Sequence, residues 1–575
     1  MFKNNFTAIG QIISQSSKSK LKFYFVGSIF LALLETVGIG IVPGYLSLLL
    51  DKNLILDKIQ FNETLYNLSL KLLSKDSLIL ILSISLFSFF LIKSLLIMIF
   101  YKYESEIFKD LKVGISSNLF SIYLNKNYLF HAANDPIILG RNISSEVNTS
   151  VAYIKSVLII LKEIIQISLI ALLLLFASFQ NTLVIFGILG LISFLYLKIF
   201  SKKLKEKADI SFYERGIKSK IINQILNAII EIKLYKKSKF FIHKFKNSID
   251  REFQSIKFFE IINKIPKLVI EITIILIICI SIILSDYNGV DIQSIIPIIV
   301  LYFVAALRVY PSINNILLHR LALINGSISI SKVCEEFKNA NHFSEKNVDD
   351  LKETQFKKSI QLSNISFKYP GREKLLENMS LGINKNEIIG IVGKTGSGKS
   401  TLVKIIMGLI KPENGKVLID NENLENIKNS WQNEIGYIPQ NFYILDDTIL
   451  ENIVFGEENK YINHDKINKI IKTTLLKDLI DELPKGLNTI VGPNGKKISG
   501  GQAQRLAIAR ALYQETSLMV FDEATNSLDQ NTENEIMNYI YSLKDKTVII
   551  ITHNENILYK CSRVFKIIDK KIEPN

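Results

Sequence analysis

Six apolar runs, near residues 22–49, 77–100, 154–176, 182–200, 268–285 and 293–317, dominate the first half of the chain. A helix needs about 20 apolar residues to cross the hydrocarbon core of a bilayer, and each run reaches or nears that length. In lipid the backbone must satisfy its own polar groups, so such runs are expected to fold as helices. Beyond residue 350 the composition changes to that of an ordinary soluble α/β domain. The 575 residues therefore divide into an α-helical six-span transmembrane domain over 1–335, a charged linker over 336–356 and an α/β domain over 357–575.

Charge placement predicts the orientation. The formal net charge is +15, which by itself fits nucleic acid, but here the lysines flank apolar runs. That placement fits basic loops beside anionic headgroups and argues against a nucleic-acid partner. Lys18, Lys20 and Lys22 precede the first run. The 102–150 loop carries Lys102, Lys109, Lys112 and Arg141, and the 201–257 loop carries Lys202, Lys203, Lys205, Lys207, Lys233, Lys236 and Lys237. The stretches 177–181 and 286–291 have neither Lys nor Arg. Both termini and the long loops then lie in the cytoplasm, in a multi-pass protein of a bacterial cytoplasmic membrane. The polar, basic start lacks the short apolar core of a cleavable signal peptide, so the first span is expected to remain. Cys279, Cys334 and Cys561 are too far apart in sequence to suggest a metal or disulfide framework.

The long loops have helix-forming composition, which predicts helices running well past the bilayer. Residues 53–75 carry apolar side chains at helical spacing, consistent with an amphipathic helix at the outer surface or with a plain connecting loop.

The chemistry is concentrated in the second half. An apolar strand, Ile388–Val392, leads into Gly393-Lys394-Thr395-Gly396-Ser397-Gly398-Lys399-Ser400-Thr401, the phosphate-loop pattern in its strand–loop–helix setting. Its glycines let backbone N–H groups turn towards phosphates. Lys399 neutralises the terminal phosphates, the Ser400 hydroxyl reaches Mg²⁺, and the helix N-terminus adds its dipole. Downstream, the apolar strand Leu518-Met519-Val520-Phe521 ends in Asp522-Glu523. This places Asp522 towards Mg²⁺ and Glu523 where it can polarise an attacking water.

Between them, Ile498-Ser499-Gly500-Gly501-Gln502 resembles the signature motif of ATP-binding cassette (ABC) transporters, with Ile in place of the usual Leu. Other landmarks of that family follow in order. Tyr369 matches the aromatic residue that stacks on adenine, and Gln440 the glutamine that joins Mg²⁺ and couples to the membrane half. Asp529 matches the D-loop aspartate and His553 the switch histidine, although Asn554 replaces the Arg that often follows it. The 489–495 loop resembles that of exporters rather than importers.

The resemblance implies ATP held between two cassettes, with Ser499 and Gly501 of one facing Lys399 of the other. With one cassette per chain, a homodimer follows, a heterodimer being the alternative. It also implies hydrolysis, with Glu523 and His553 catalytic.

For the cargo, Lys93, Lys267 and Arg308 sit in spans two, five and six and make a candidate basic belt. Glu35, Glu163 and Glu271 are equally placed to pair with such bases. The stretches around these residues (ETVGIGIVP, FLIKSLL, IPKLVIE and AALRVYPSINNI) are similar to lipid-linked oligosaccharide flippases. That resemblance implies a polyprenyl-pyrophosphate glycan as cargo. Lys stands where those flippases carry Arg at the first two positions, a weaker match to pyrophosphate than a guanidinium fork. Other lipids, hydrophobic drugs and peptides are the alternative cargoes. An ATP-gated channel or nucleotide sensor is a rival of another class.

Overall fold

The computed structural model describes residues 15–50, 78–177, 179–287, 292–339, 355–525 and 527–574. The candidate amphipathic helix at 53–75 and most of the 336–356 linker lie outside these residues. The chain separates into two compact units, one of residues 1–126 and 134–344, the other of residues 345–575 together with 127–133.

The first unit is helical. Its elements are α1 (Gln15–Leu50), α2 (Leu78–Leu124), α4 (Pro136–Arg141), α5 (Val147–Ala177), α6 (Phe179–Asn227), α7 (Ile229–Leu234), α8 (Ser238–Tyr287) and α9 (Ile292–Lys338). The six-residue α3 (Tyr128–Ala133) belongs to the second unit. Among the described residues four segments are long and apolar enough to cross a membrane: Ser17–Leu46, Leu80–Leu124, Pro136–Ala177 and Ile299–Ile324. The expected spans at 182–200 and 268–285 fall on α6 and α8, many of whose side chains there lie outside the described residues. The helices do run far past the apolar runs, α6 and α8 for 49 and 50 residues.

Interhelical packing combines apolar and polar contacts. Ile39, Ile170, Leu174, Leu301, Ala305 and Val309 form one core between α1, α5 and α9. Gly326 lets α9 approach α5 closely, since a Cβ there would meet the Tyr153 Cβ at 3.0 Å and the Thr149 carbonyl at 3.2 Å. Lys155 pairs with Glu104 at 2.9 Å, and the Asn315 amide donates to Glu163 at 2.9 Å. Between α4 and α5 the chain makes one π-helical turn, Asn142–Glu146.

The second unit holds two sheets. One is antiparallel, β2 (Lys374–Asn384)–β1 (Ser359–Lys368)–β4 (Asn414–Ile419)–β5 (Glu422–Asn423). The other runs β10 (Lys571–Pro574)–β9 (Arg563–Ile568)–β3 (Ile388–Gly393)–β8 (Thr547–Ile551)–β7 (Leu518–Asp522)–β6 (Ile435–Ile438), parallel from β9 to β6. Strands β7 and β8 are buried throughout, as continuous apolar runs in a parallel sheet require. Helices α10 (Lys399–Ile406), α11 (Gly500–Tyr513) and α12 (Gln530–Ser542) carry the motif segments. Phe356, at the end of the expected linker, is buried edge-on against Trp431 at 5.5 Å and so belongs to this core.

Candidate active site

In a parallel sheet the ligand crevice forms beyond the carboxyl ends of the strands. Strand β3 ends at Gly393, and the chain turns through the phosphate loop into α10. Gly398 sits at φ 100° at the N-cap of α10, and a Cβ there would stand 2.5 Å from Leu376, so both backbone and space require glycine. Inside the loop the buried Ser397 hydroxyl has no hydrogen-bond partner among the described residues. The Lys399 ammonium, 5% exposed, donates to the loop's own Gly393 and Lys394 carbonyls at 2.9 and 3.3 Å. An orphaned buried hydroxyl and a cation held by loop carbonyls fit a phosphate-binding cradle.

Strand β7 presents the acids. Asp522 is buried, and two hydroxyls grip it: Ser400 donates to Oδ1 at 2.9 Å and Tyr437 to Oδ2 at 3.2 Å. Burial pushes the Asp522 carboxyl above its usual range, opposed by those two hydroxyls and by Lys404. An oxygen-only donor set of a serine hydroxyl beside a carboxylate suits a hard divalent cation.

Glu523 follows at φ 51°, its N–H bonded to the Ile551 carbonyl at 2.9 Å. This left-handed residue at the strand end turns the side chain into a cluster. The His553 Nε2 lies 2.7 Å from Oε1, Gln440 donates to Oε2 at 2.8 Å, and the Lys399 Nζ stands 3.9 Å from Oε1. Burial draws the Lys399 ammonium below its usual range, while Glu523 and Asp522 pull it back up. Gln440, expected at the metal, is thus bonded to Glu523 rather than to the Ser400–Asp522 pair.

The remaining predicted residues take local positions. The Tyr369 hydroxyl bonds Thr401 Oγ1 at 3.1 Å, and its ring packs edge-on to Phe367. Ser499 caps α11 in a reciprocal capping box with Gln502, leaving Ser499 and Gly500 exposed at the helix start. Asp529 caps α12 by accepting from the Thr532 N–H at 3.0 Å.

Sequence reading missed Tyr437 and Lys404. Neither stands in a recognised motif; only the pairing of β6 with β7, which sets Tyr437 against Val520, brings the tyrosine to Asp522. Lys404 lies one turn along α10, with its Nζ 5.0 Å above the Tyr128 ring of α3. Tyr128 and Leu129 also pack on the core of this unit. The short helix α3, residues 128–133, thus lies beside Lys404.

In the helical unit Arg308 forms an ion pair with Glu35. Lys93 stands over the Phe90 ring at 4.7 Å, within electrostatic reach of both. Two of the three belt residues therefore gather around one carboxylate, the pairing set out above as the alternative to a basic belt. Lys267 lies on α8 with its side chain outside the described residues.

Residues 376–526 match the family model described as ABC transporter. A Rickettsia prowazekii protein assigned to the export ATP-binding/permease class is 39% identical over 216 residues, 37% of this chain and 37% of that protein. The alpha-hemolysin translocation ATP-binding protein HlyB of Escherichia coli is 41% identical over 208 residues, 36% of this chain and 29% of its own length. The matches thus span only 37% and 29% of the length of these relatives. A solved bacterial Atm1-family ABC exporter with ATP bound superposes with a TM-score of 0.76, at 18% identity, covering 96% of this chain and 94% of that one. The chain has the fold of an ABC exporter. Its residues 376–526 form an ABC-transporter ATP-binding domain, an ATPase module.

Proposed function

We propose that the chain is an exporter half-transporter that works as a dimer in the cytoplasmic membrane, coupling ATP–Mg²⁺ hydrolysis to movement of a lipid-linked oligosaccharide. The observation that carries the ATP-driven part is the cluster of Lys399, Glu523, His553 and Gln440 at the carboxyl ends of β3 and β7. Lys399 binds the terminal phosphates in place of its present carbonyl partners. Ser400 and Asp522, already 2.9 Å apart, are the residues that would hold Mg²⁺, which supplies charge neutralisation at the phosphates. Glu523, oriented by Gln440 and His553, takes up or polarises the proton of the attacking water. The exposed start of α11, with Ser499 and Gly501, supplies donors to the nucleotide of a partner cassette.

The glycolipid cargo rests on the resemblance of the spans and on Lys93 and Arg308 lying near one another on α2 and α9. With Glu35 between them the two cations against one carboxylate leave a surplus of one positive charge, which favours an anionic head group over a cationic drug. Peptide cargo is the second reading, favoured by the similarity of the cassette to a protein that translocates alpha-hemolysin.

The test follows a fluorescent lipid-linked oligosaccharide in proteoliposomes with ATP, beside the Glu523→Gln variant. Translocation that needs ATP and stops in the variant supports the proposal. Robust ATP hydrolysis without translocation overturns the cargo and leaves the ATPase reading in place.

A further inference from the structure

A second polar cavity lies in the helical unit, where α4, the π-helical turn and α5 meet α6 and α9. It has a volume of about 240 Å³ and is lined by Arg141, Ser145, Glu146, Thr149, Arg215, Gly216, Lys218, Ser219 and Ser329. These residues sit on the basic helical extensions, away from the apolar runs. The volume is below the range of about 300–1,000 Å³ typical of drug-sized sites and suits a small ion with its waters.

The lining is short of negative charge. Arg141, Arg215 and Lys218 face one carboxylate, Glu146. Lys218 is satisfied from outside the lining, by Glu252 at 2.5 Å. The neighbouring Glu214 is taken up by Arg251 at 3.5 Å and by the Ser248 hydroxyl at 2.9 Å. Counting Glu252 with the lining, three cations face two carboxylates, a surplus of one.

Arg215 carries that surplus, beside an Arg141 held only by a long ion pair. Arg215 donates through Nε to the Ser211 carbonyl of its own helix, and among the described residues no carboxylate pairs with it. The Arg141 Nε forms a long ion pair with Glu146 Oε1 at 3.5 Å, beyond ordinary hydrogen-bond length, and among the described residues it has no hydrogen-bond partner. The other oxygen of Glu146 accepts from the buried Ser329 hydroxyl at 2.6 Å, which holds the acid to α9. Gly216 lies beside the Arg141 fork, where a Cβ would stand 3.4 Å from its Nη1. The cavity is built at a π-turn, a local irregularity that costs backbone regularity and often marks a site. A regular helix would rotate Arg141 and Glu146 relative to each other and lose this lining.

We propose that the cavity binds a small, multiply charged oxyanion of the phosphate type from the aqueous phase, through the forks of Arg141 and Arg215 and the hydroxyls around them. Planar guanidinium donors match such an anion with paired bonds.

The test uses the full chain in phosphatidylcholine nanodiscs, with a non-hydrolysable ATP analogue saturating the nucleotide site so that phosphate taken up is bound elsewhere. Equilibrium dialysis with radiolabelled inorganic phosphate then reads the cavity. The wild type is expected to take up phosphate saturably, and Arg215→Gln to bind it at least tenfold more weakly. Arg215→Lys keeps the charge but not the fork and is expected to fall between them. A size-exclusion profile and thermal melt of the helical unit unchanged from wild type report that both variants are folded. Equal uptake by wild type and Arg215→Gln, or no saturable uptake at all, overturns the proposal. Displacement of phosphate when phosphatidylglycerol is added to the discs overturns the soluble-anion assignment in favour of a lipid head group.

Discussion

Glu523→Gln isolates one negative charge in the nucleotide site while keeping the shape of the side chain. In the present structure Glu523 is a counterion of Lys399, 3.9 Å away, and both side chains are at most 10% exposed. At an effective dielectric of about 20 that separation corresponds to an attraction of about 4 kcal/mol, an upper bound here because Gln440 and His553 share the carboxylate. An incoming triphosphate must replace Glu523 at Lys399 and then sit beside it. The amide removes both the competition and the repulsion. If a quarter of the attraction, roughly 1 kcal/mol, is recovered on binding, ATP affinity rises about fivefold. Turnover moves the other way: without a base the barrier rises by roughly 3–5 kcal/mol, and hydrolysis slows about 10²- to 10⁴-fold. Phosphate release and titration with a fluorescent ATP analogue on the purified full chain read the two effects separately. Turnover within threefold of wild type, or slower turnover accompanied by weaker ATP binding, would refute this account of Glu523.

Three further outcomes are expected. Tyr437→Phe removes a hydroxyl from Asp522 at 3.2 Å and should raise the Mg²⁺ half-saturation of ATP hydrolysis roughly tenfold. ATP binding measured with a chelator should not change; an unaltered Mg²⁺ dependence would show that the contact is idle. Arg510 donates to the Tyr443 and Asn452 carbonyls and to the Asn452 side chain, each at 2.9 Å, and stacks on Phe455. Arg510→Ala should therefore cost the domain roughly 3 kcal/mol, read as a lower denaturation midpoint. Burial alone would raise the Glu387 carboxyl, but the Arg563 fork and the Asn384 N–H together hold it below its usual value of 4.5. A depressed carboxylate adds stability above its unfolded pKa and loses it as pH falls through the folded value. Thermal melts of Glu387→Gln should accordingly differ from wild type at neutral pH and converge with it on the acid side of 4.5.

Much of the nucleotide site was legible along the chain because its residues lie in short segments with rigid local geometry. Gly393 to Thr401 is one strand–loop–helix turn, and Asp522-Glu523 ends one strand, so their chemistry follows from adjacent positions. The contacts of Tyr437 and Lys404 were not legible. They depend on which strand pairs with which, and on the docking of a helix about 275 residues earlier in sequence, at Tyr128.

The membrane half divides the same way. Hydropathy alone predicts that apolar helices form, because transfer to lipid is summed over a run of residues and needs no partner. Whether Arg308 meets a phosphate or a carboxylate is not a property of any run. It depends on the neighbours the fold supplies: here Glu35, Lys93 and Arg308, from three separate helices, lie close together, with Arg308 paired to Glu35. The same holds for the second cavity. Arg141, Arg215 and Ser329 are unremarkable in sequence, and only the π-turn and the packing of α5, α6 and α9 bring their polar groups to one space. Ionic interactions fall off steeply with distance and are screened by water, so their roles are decided by the tertiary neighbours that folding supplies.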